Sequence, residues 1–232
     1  MNSYEFLKFL TVKLAANKYG NEKSLCRATG FYLTFNDKQV IVTAKHFADS
    51  TESKVTIPAR YKENGSVVTV PVTACVEWVM SEEYDIAYCD IEPFEKKFKE
   101  ITGKDMFYTS LSEKNIITKD EFSKLSILSE ILTIGYPLGE SSTHHQFPLF
   151  KKGYISSLPA DFTEDDEGYL YLCAEHGMSG SPVLLNNSQL KLVGVLVQYI
   201  KDGSDKCNST TVYVPGDKIL EMNKKFKQKR KA

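Results

Sequence analysis

Ser179 lies in the segment Gly177-Met178-Ser179-Gly180-Ser181-Pro182, which runs into the apolar stretch Val183-Leu184-Leu185. A serine hydroxyl is a poor nucleophile unless a base takes its proton and something stabilises the oxyanion its attack creates. A turn with glycine on both sides can leave the hydroxyl accessible and aim backbone N–H groups at one point. Two other segments carry the missing partners. His46 ends Val42-Thr43-Ala44-Lys45-His46, after a strand-like run. Histidine titrates near neutral pH, as a proton relay requires. Asp85 opens Asp85-Ile86-Ala87, an apolar pair that draws it inward. The chain order is thus His, Asp, Ser, and the chemistry such a set could do is acyl transfer. Each residue has rivals nearby: Ser181 beside Ser179, His176 three residues before it, and Glu82, Glu83 and Asp90 around Asp85. His144 and His145 follow the polar run Ser141-Ser142-Thr143 and read as loop residues.

These side chains must be held by elements far apart in sequence. Residues 3–19, with Tyr4, Leu7, Phe9, Leu10, Leu14 and Ala15-Ala16, read as a helix. From Cys26 to Ala44 apolar residues alternate around the turn signal Asn36-Asp37, which predicts a hairpin. Further strand-like runs cover 54–57, 67–72, 75–79 and 86–91, then 131–134, 151–156, 168–173, 182–185, 190–198 and 210–214. Many short strands with short turns predict a barrel or sandwich. Between the two sets, residues 92–124 are charged and read as a connection with one or two short helices. The tail from Asp217 is amphipathic, with Ile219, Leu220, Met222 and Phe226 on one side, and ends in a lysine-rich run.

The 232 residues suffice for one large domain or two small ones sharing an interface. With 42% hydrophobic and 12% aromatic residues the chain can bury a core. Its 29 basic and 30 acidic residues give a net charge of −1, which argues against nucleic acid or a membrane surface as partner. There is no run of 18 apolar residues, and Glu5 and Lys8 interrupt the start where a signal peptide needs an apolar core. Cys26, Cys75, Cys89, Cys173 and Cys207 make an odd number, so at least one is left over if pairs form. All five are expected as free thiols, which fits a cytoplasmic location. No metal or other cofactor is expected.

In order and local sequence, the chain resembles the trypsin/chymotrypsin-like serine peptidases, and in particular bacterial intracellular peptidase domains with a GxSGSPV nucleophile motif. The pieces are Ala28-Thr29-Gly30-Phe31-Tyr32-Leu33, Thr43-Ala44-Lys45-His46, Asp85-Ile86-Ala87, Ile134-Gly135-Tyr136-Pro137-Leu138-Gly139, Gly153-Tyr154-Ile155-Ser156, Val193–Val197 and Tyr213-Val214-Pro215. The resemblance implies a mostly β fold of two six-stranded antiparallel barrels, with a short N-terminal helix and a C-terminal helix. The first barrel would span 20–92, the connection 93–126, the second barrel 127–215, and the helix with its basic tail 216–232. It implies His46 as base, Asp85 as orienter, Ser179 as nucleophile, and the N–H groups of Gly177 and Ser179 as oxyanion hole. The primary substrate pocket would be lined by Cys173, Ala174, Glu175 and His176 on one side and Val197, Gln198 and Tyr199 on the other. Cys173 stands where an aspartate would select Arg or Lys, so a small or medium apolar residue is expected at the cleaved position.

Secreted relatives carry cysteines where Phe47 and Glu175 stand here, and an aspartate where Met178 stands. The familiar bridges are therefore absent, and activation through a newly cut N-terminus is not expected. The expected partner is a protein or peptide substrate. Two other readings share the fold. One is a silent module that holds a peptide without turnover. The other is a protease of a toxin or defence system, switched on by an activating protein partner.

Overall fold

The computed structural model describes residues 5–35, 37–139, 146–158, 167–186, 190–201 and 207–222. His144, His145 and the lysine-rich end beyond 222 lie outside the described residues. Strands dominate. The first set is β1 (Thr11–Lys18), β2 (Asn21–Phe35), β3 (Lys38–Thr43), β4 (Thr51–Glu63), β5 (Ser66–Cys75), β6 (Val79–Met80), β7 (Ala87–Asp90) and β8 (Leu111–Ser112). They form one sheet in the order β5-β4-β1-β2-β3-β7-β6, with β8 pairing in parallel to β2. Six of these strands are substantial, while β6 and β8 have two residues each. The second set is β9 (Glu130–Gly135), β10 (Leu149–Ser157), β11 (Gly168–Tyr171), β12 (Pro182–Leu185), β13 (Lys191–Lys201) and β14 (Cys207–Pro215). These close into an antiparallel six-stranded barrel in the order β10-β11-β14-β13-β12-β9. The fold is chymotrypsin-like.

Turn chemistry explains the main hairpins. β4 and β5 pair from Lys54↔Cys75 to Glu63↔Ser66 and turn at Asn64-Gly65, both at positive φ (50° and 79°). Asn-Gly suits the tight turn whose twist matches paired strands. β2 and β3 turn at Asp37, φ 64°.

The N-terminal segment departs from its expected helix. Only Glu5–Phe9 winds, as a 3-10 turn, and Thr11–Lys18 is β1. β1 lies mid-sheet between β2 and β4. Val12, Leu14 and Ala16 are buried in the first core at a period of two, which belongs to a strand. Ala15-Ala16 favours a helix only as a weak local preference, and pairing on both edges overrides it. The first sheet therefore begins at residue 11, whereas the expected first barrel began at 20.

Three apolar clusters hold the molecule. One fills the first sheet, around Tyr32, Ile41, Ile57, Phe94 and Phe98. Another fills the closed barrel, around Ile155, Leu170, Met178, Leu196 and Tyr213. A third lies between them, joining Leu7, Leu10, Phe31 and Ile86 to Ile134, Leu184, Val195 and Val214. The charged connection contains α2 (Glu92–Thr102), one residue after β7, and the one-turn α3 (Lys119–Phe122), with β8 between them. α2 packs Phe94 and Phe98 into the first core. Residues 217–222 are helical and seat Ile219 and Met222 against the shared cluster. No helix among the described residues is long and apolar enough to cross a membrane.

Candidate active site

His46 sits in α1 (Lys45–Ser50), directly after β3. β3 is buried through Val40, Ile41, Val42 and Thr43, so the helix that follows is anchored to the first sheet. Asp85 leaves a tight turn organised by Ser81, whose hydroxyl accepts the N–H groups of Glu83 and Tyr84 at 3.3 and 3.1 Å. Ile86 and Ala87, both fully buried, pin the next residues into the core. The Asp85 carboxylate then meets His46 twice. Oδ2 lies 2.7 Å from Nδ1, and Oδ1 accepts the His46 backbone N–H, also at 2.7 Å. An ionised carboxylate only accepts, so Nδ1 carries the hydrogen and Nε2 is left with its lone pair. Among the described residues, His46 and not His176 is the histidine paired with an acid.

Ser179 lies in the turn before β12. Gly177 and Gly180 both adopt positive φ, 88° and 86°. A Cβ at Gly180 would strike the Thr29 carbonyl and Thr43, and one at Gly177 would strike the Tyr136 carbonyl. Glycine is required at both places by conformation and by space. Ser181 is fully buried, which removes it from any role as nucleophile. The Ser179 hydroxyl donates to the Val197 carbonyl at 3.3 Å. It borders the same cavities as His46.

Two threonines fasten this turn to the first sheet, and sequence reading assigned neither a role. Thr29 donates its backbone N–H to the Ser179 carbonyl at 2.9 Å and its hydroxyl to the Gly177 carbonyl at 2.8 Å. The same hydroxyl accepts the Tyr136 N–H at 3.1 Å. Thr43, on the strand that leads to His46, donates its hydroxyl to the Thr29 carbonyl at 2.8 Å. Both threonines are fully buried. The signal available in the sequence was a polar residue at an inward position of each strand, Thr29 before Gly30-Phe31 and Thr43 after Val42.

The N–H groups of Gly177 and Ser179 have no acceptor among the described residues. The His176 carbonyl, on the far side of the peptide that carries the Gly177 N–H, accepts from the Leu138 amide. In a trans peptide the N–H points opposite to the carbonyl, so this bond turns the Gly177 N–H away from Leu138. Gly180 and Leu196 complete the turn through N–H bonds to the carbonyls of Leu196 and Ser181 at 2.7 and 2.9 Å. Met178 is fully buried in the apolar cluster of the closed barrel.

Two cavities meet at Ser179. The larger, about 650 Å³, is bordered by His46, Asp85, His176, Ser179 and residues 197–200 of β13. The smaller, about 380 Å³, is bordered by His46, His176, Gly177, Ser179, Leu138 and residues 25–27 of β2. Of the expected pocket residues, Val197, Gln198, Tyr199 and His176 border the larger one. The His176 and Tyr199 rings meet edge to face at 5.3 Å. Cys173, Ala174 and Glu175 border neither cavity. Ala174 is packed in the barrel core, Cys173 is exposed, and Glu175 pairs with Lys151 at 3.2 Å. Lys151 also donates to the Cys173 carbonyl at 2.9 Å. Cys26, Cys75, Cys89 and Cys173 are free thiols, and burial pushes the Cys89 thiol well above its usual range.

A model of the trypsin-like peptidase domain matches residues 28–195. Among solved structures, the HtrA-type protease AlgW with a tripeptide aligns at a TM-score of 0.58 and 15% identity, over 95% of this chain and 60% of its own. The protease Anisep from Arthrobacter nicotinovorans aligns at 0.58 and 16%, over 90% of each chain. The Rv3671c protease from M. tuberculosis, in its active form, aligns at 0.57 and 12%, over 93% of this chain and 79% of that one. The chain thus spans about 60% of the length of AlgW. At these identities the likeness is one of fold. No curated protein matches the chain by sequence.

Proposed function

We propose that this chain, which belongs to the trypsin-like peptidase family and is a serine-type hydrolase, is an endopeptidase working through Ser179, His46 and Asp85. The observation that carries the reading is the double bond pattern of Asp85 to His46, both contacts at 2.7 Å. It orients the ring and commits Nε2 to the cleft that Ser179 borders. For reaction the Ser179 hydroxyl exchanges the Val197 carbonyl for His46 Nε2 as its acceptor. His46 then accepts the hydroxyl proton as Oγ bonds to the carbonyl carbon of the substrate. The carbonyl π pair moves onto oxygen, where the N–H groups of Gly177 and Ser179 receive it. The oxyanion pair then returns to re-form the carbonyl as the C–N bond breaks and the amide nitrogen takes the proton from the ring, leaving an ester on Ser179. Water repeats the sequence, giving its proton to His46 while its oxygen bonds to the ester carbon, and Oγ leaves with the proton back from Nε2.

The free thiols, two of them exposed, favour a reducing compartment as the place of work. The test of the enzymatic reading is hydrolysis of a randomised fluorogenic peptide library. Turnover by the parent and its loss in Ser179→Ala is expected. A parent without turnover, or a Ser179→Ala variant that retains it, contradicts the proposal and favours a module that only holds peptide.

A further inference from the structure

We propose that the smaller cavity beside Ser179 selects the part of the substrate that leaves first: an apolar residue directly after the scissile bond, with an acidic residue one or two places further on. This deepens the peptidase reading and rests on it. β13 borders the larger cavity and resembles the strand that substrate lies beside, so the acyl half of a peptide occupies that side. The smaller cavity shares His46, His176 and Ser179 with the larger one and is otherwise bordered by β2, α1, Leu138 and Gly177, with no residue of β13. The leaving half, whose new amine takes its proton from His46, has to pass there.

The lining has a definite chemistry. Leu25 and Leu138 both border the cavity, and they are 48% and 61% exposed. Two large apolar side chains exposed on the lining of one cavity, next to a reactive centre, suit an apolar side chain of the substrate. Leu138 is held at φ 55°, in the left-handed region a branched side chain rarely adopts. Its amide bond to the His176 carbonyl fixes that position, and strain of this kind gathers at functional sites.

Arg27 is two residues beyond Leu25 on β2, so both side chains stand on one face of the strand. Its stem lies on Gly139, where a Cβ would collide with it. Arg27 is exposed and, among the described residues, has no carboxylate partner. A guanidinium is always charged and matches a carboxylate with two parallel bonds. An acidic side chain just past the apolar residue would supply that carboxylate.

The test is a peptide library randomised on both sides of the cut, with the newly formed N-termini read by mass spectrometry. New N-termini should favour Leu, Ile, Met or Phe over Ser or Lys by about tenfold, the discrimination an apolar subsite gives. At the next two places Asp and Glu should exceed Lys by about two- to fivefold, the range of an exposed ion pair. Arg27→Glu should reverse the acidic-over-basic order, and Leu25→Asp should erase the apolar preference. A fluorophosphonate that modifies Ser179 is run alongside. If the parent labels and cuts but the profile is flat, or Arg27→Glu keeps the parental order, this inference falls alone. If the parent forms no cuts, whether or not it labels, the peptidase reading beneath it falls.

Discussion

At the scale of single residues, the site depends on side chains whose alternatives the fold has disposed of. Ser181 is buried, and Asp85 is committed to His46 by both carboxylate oxygens. Asp85→Asn should leave the ring in place but favour the wrong tautomer. A fall in kcat of about 10⁴ is expected, as in other triads, measured on a peptide the parent cleaves. Adding Ser179→Ala or His46→Ala should lower kcat much less than the product of the separate effects, because the groups act as one unit. Thr29 provides a second test. Thr29→Val keeps the shape but leaves the Gly177 carbonyl and the Tyr136 N–H without their buried partner. Each unpaired group costs about 1–3 kcal/mol, so the urea midpoint should drop and kcat with it, while Thr29→Ser should retain both. A valine variant equal to the parent in both measurements would remove Thr29 from the account. The proposed triad could be named from the sequence because each member sits in a short motif of its own, and the His46–Asp85 pairing agrees with it. Thr29 was not, because its partner Gly177 lies 148 residues away and only folding brings the two together.

At the scale of elements, periodicity showed most of the strands and misplaced one. β2, β3, β5 and the barrel strands alternate or run apolar over lengths that suit strands. β1 was obscured because Ala15-Ala16 and the neighbouring leucines satisfy a helical pattern as readily as an extended one. What decides is β2 on one side and β4 on the other, and pairing of that kind is invisible locally. The connection between the first sheet and the closed barrel was legible as charged and partly helical, and its anchoring was not. α3 is capped by Thr118, whose hydroxyl accepts the Glu121 N–H at 3.2 Å, and Glu121 reaches across to Lys191 on β13 at 2.8 Å. The Lys191 ammonium, followed by the Thr118 N–H, holds the Glu121 carboxyl down at about 2. A glutamate in the unfolded chain titrates near ~4.3. Its folded pKa is the lower one, so the contribution is complete above that unfolded value and disappears as pH falls towards about 2. Glu121→Gln should therefore melt below the parent at pH 6, and the two melting curves should converge in acid. A gap that stays constant down to the acid end would show that the tether contributes nothing.

At the scale of the whole molecule, the site exists only where the two halves meet. His46 and Asp85 come from the first sheet, Ser179 from the closed barrel, and the third apolar cluster locks one against the other. A shared core of this kind, reinforced by the Thr29 bonds, should make unfolding one cooperative event. The single tryptophan, Trp78, packs on the first core. Its fluorescence reports that half, whereas far-ultraviolet circular dichroism reports both. The two urea transitions should coincide, and an earlier tryptophan transition would mean that the halves are held together less firmly than the cluster implies. The central claim is that these halves converge to make one serine reactive. Its most direct measurement is the reaction of the folded protein with a fluorophosphonate, followed by intact mass and mapping of the modified residue. The account predicts a single adduct on Ser179 that is lost in His46→Ala and in unfolded protein. A parent that takes up no label, or takes it up on another residue, would contradict it.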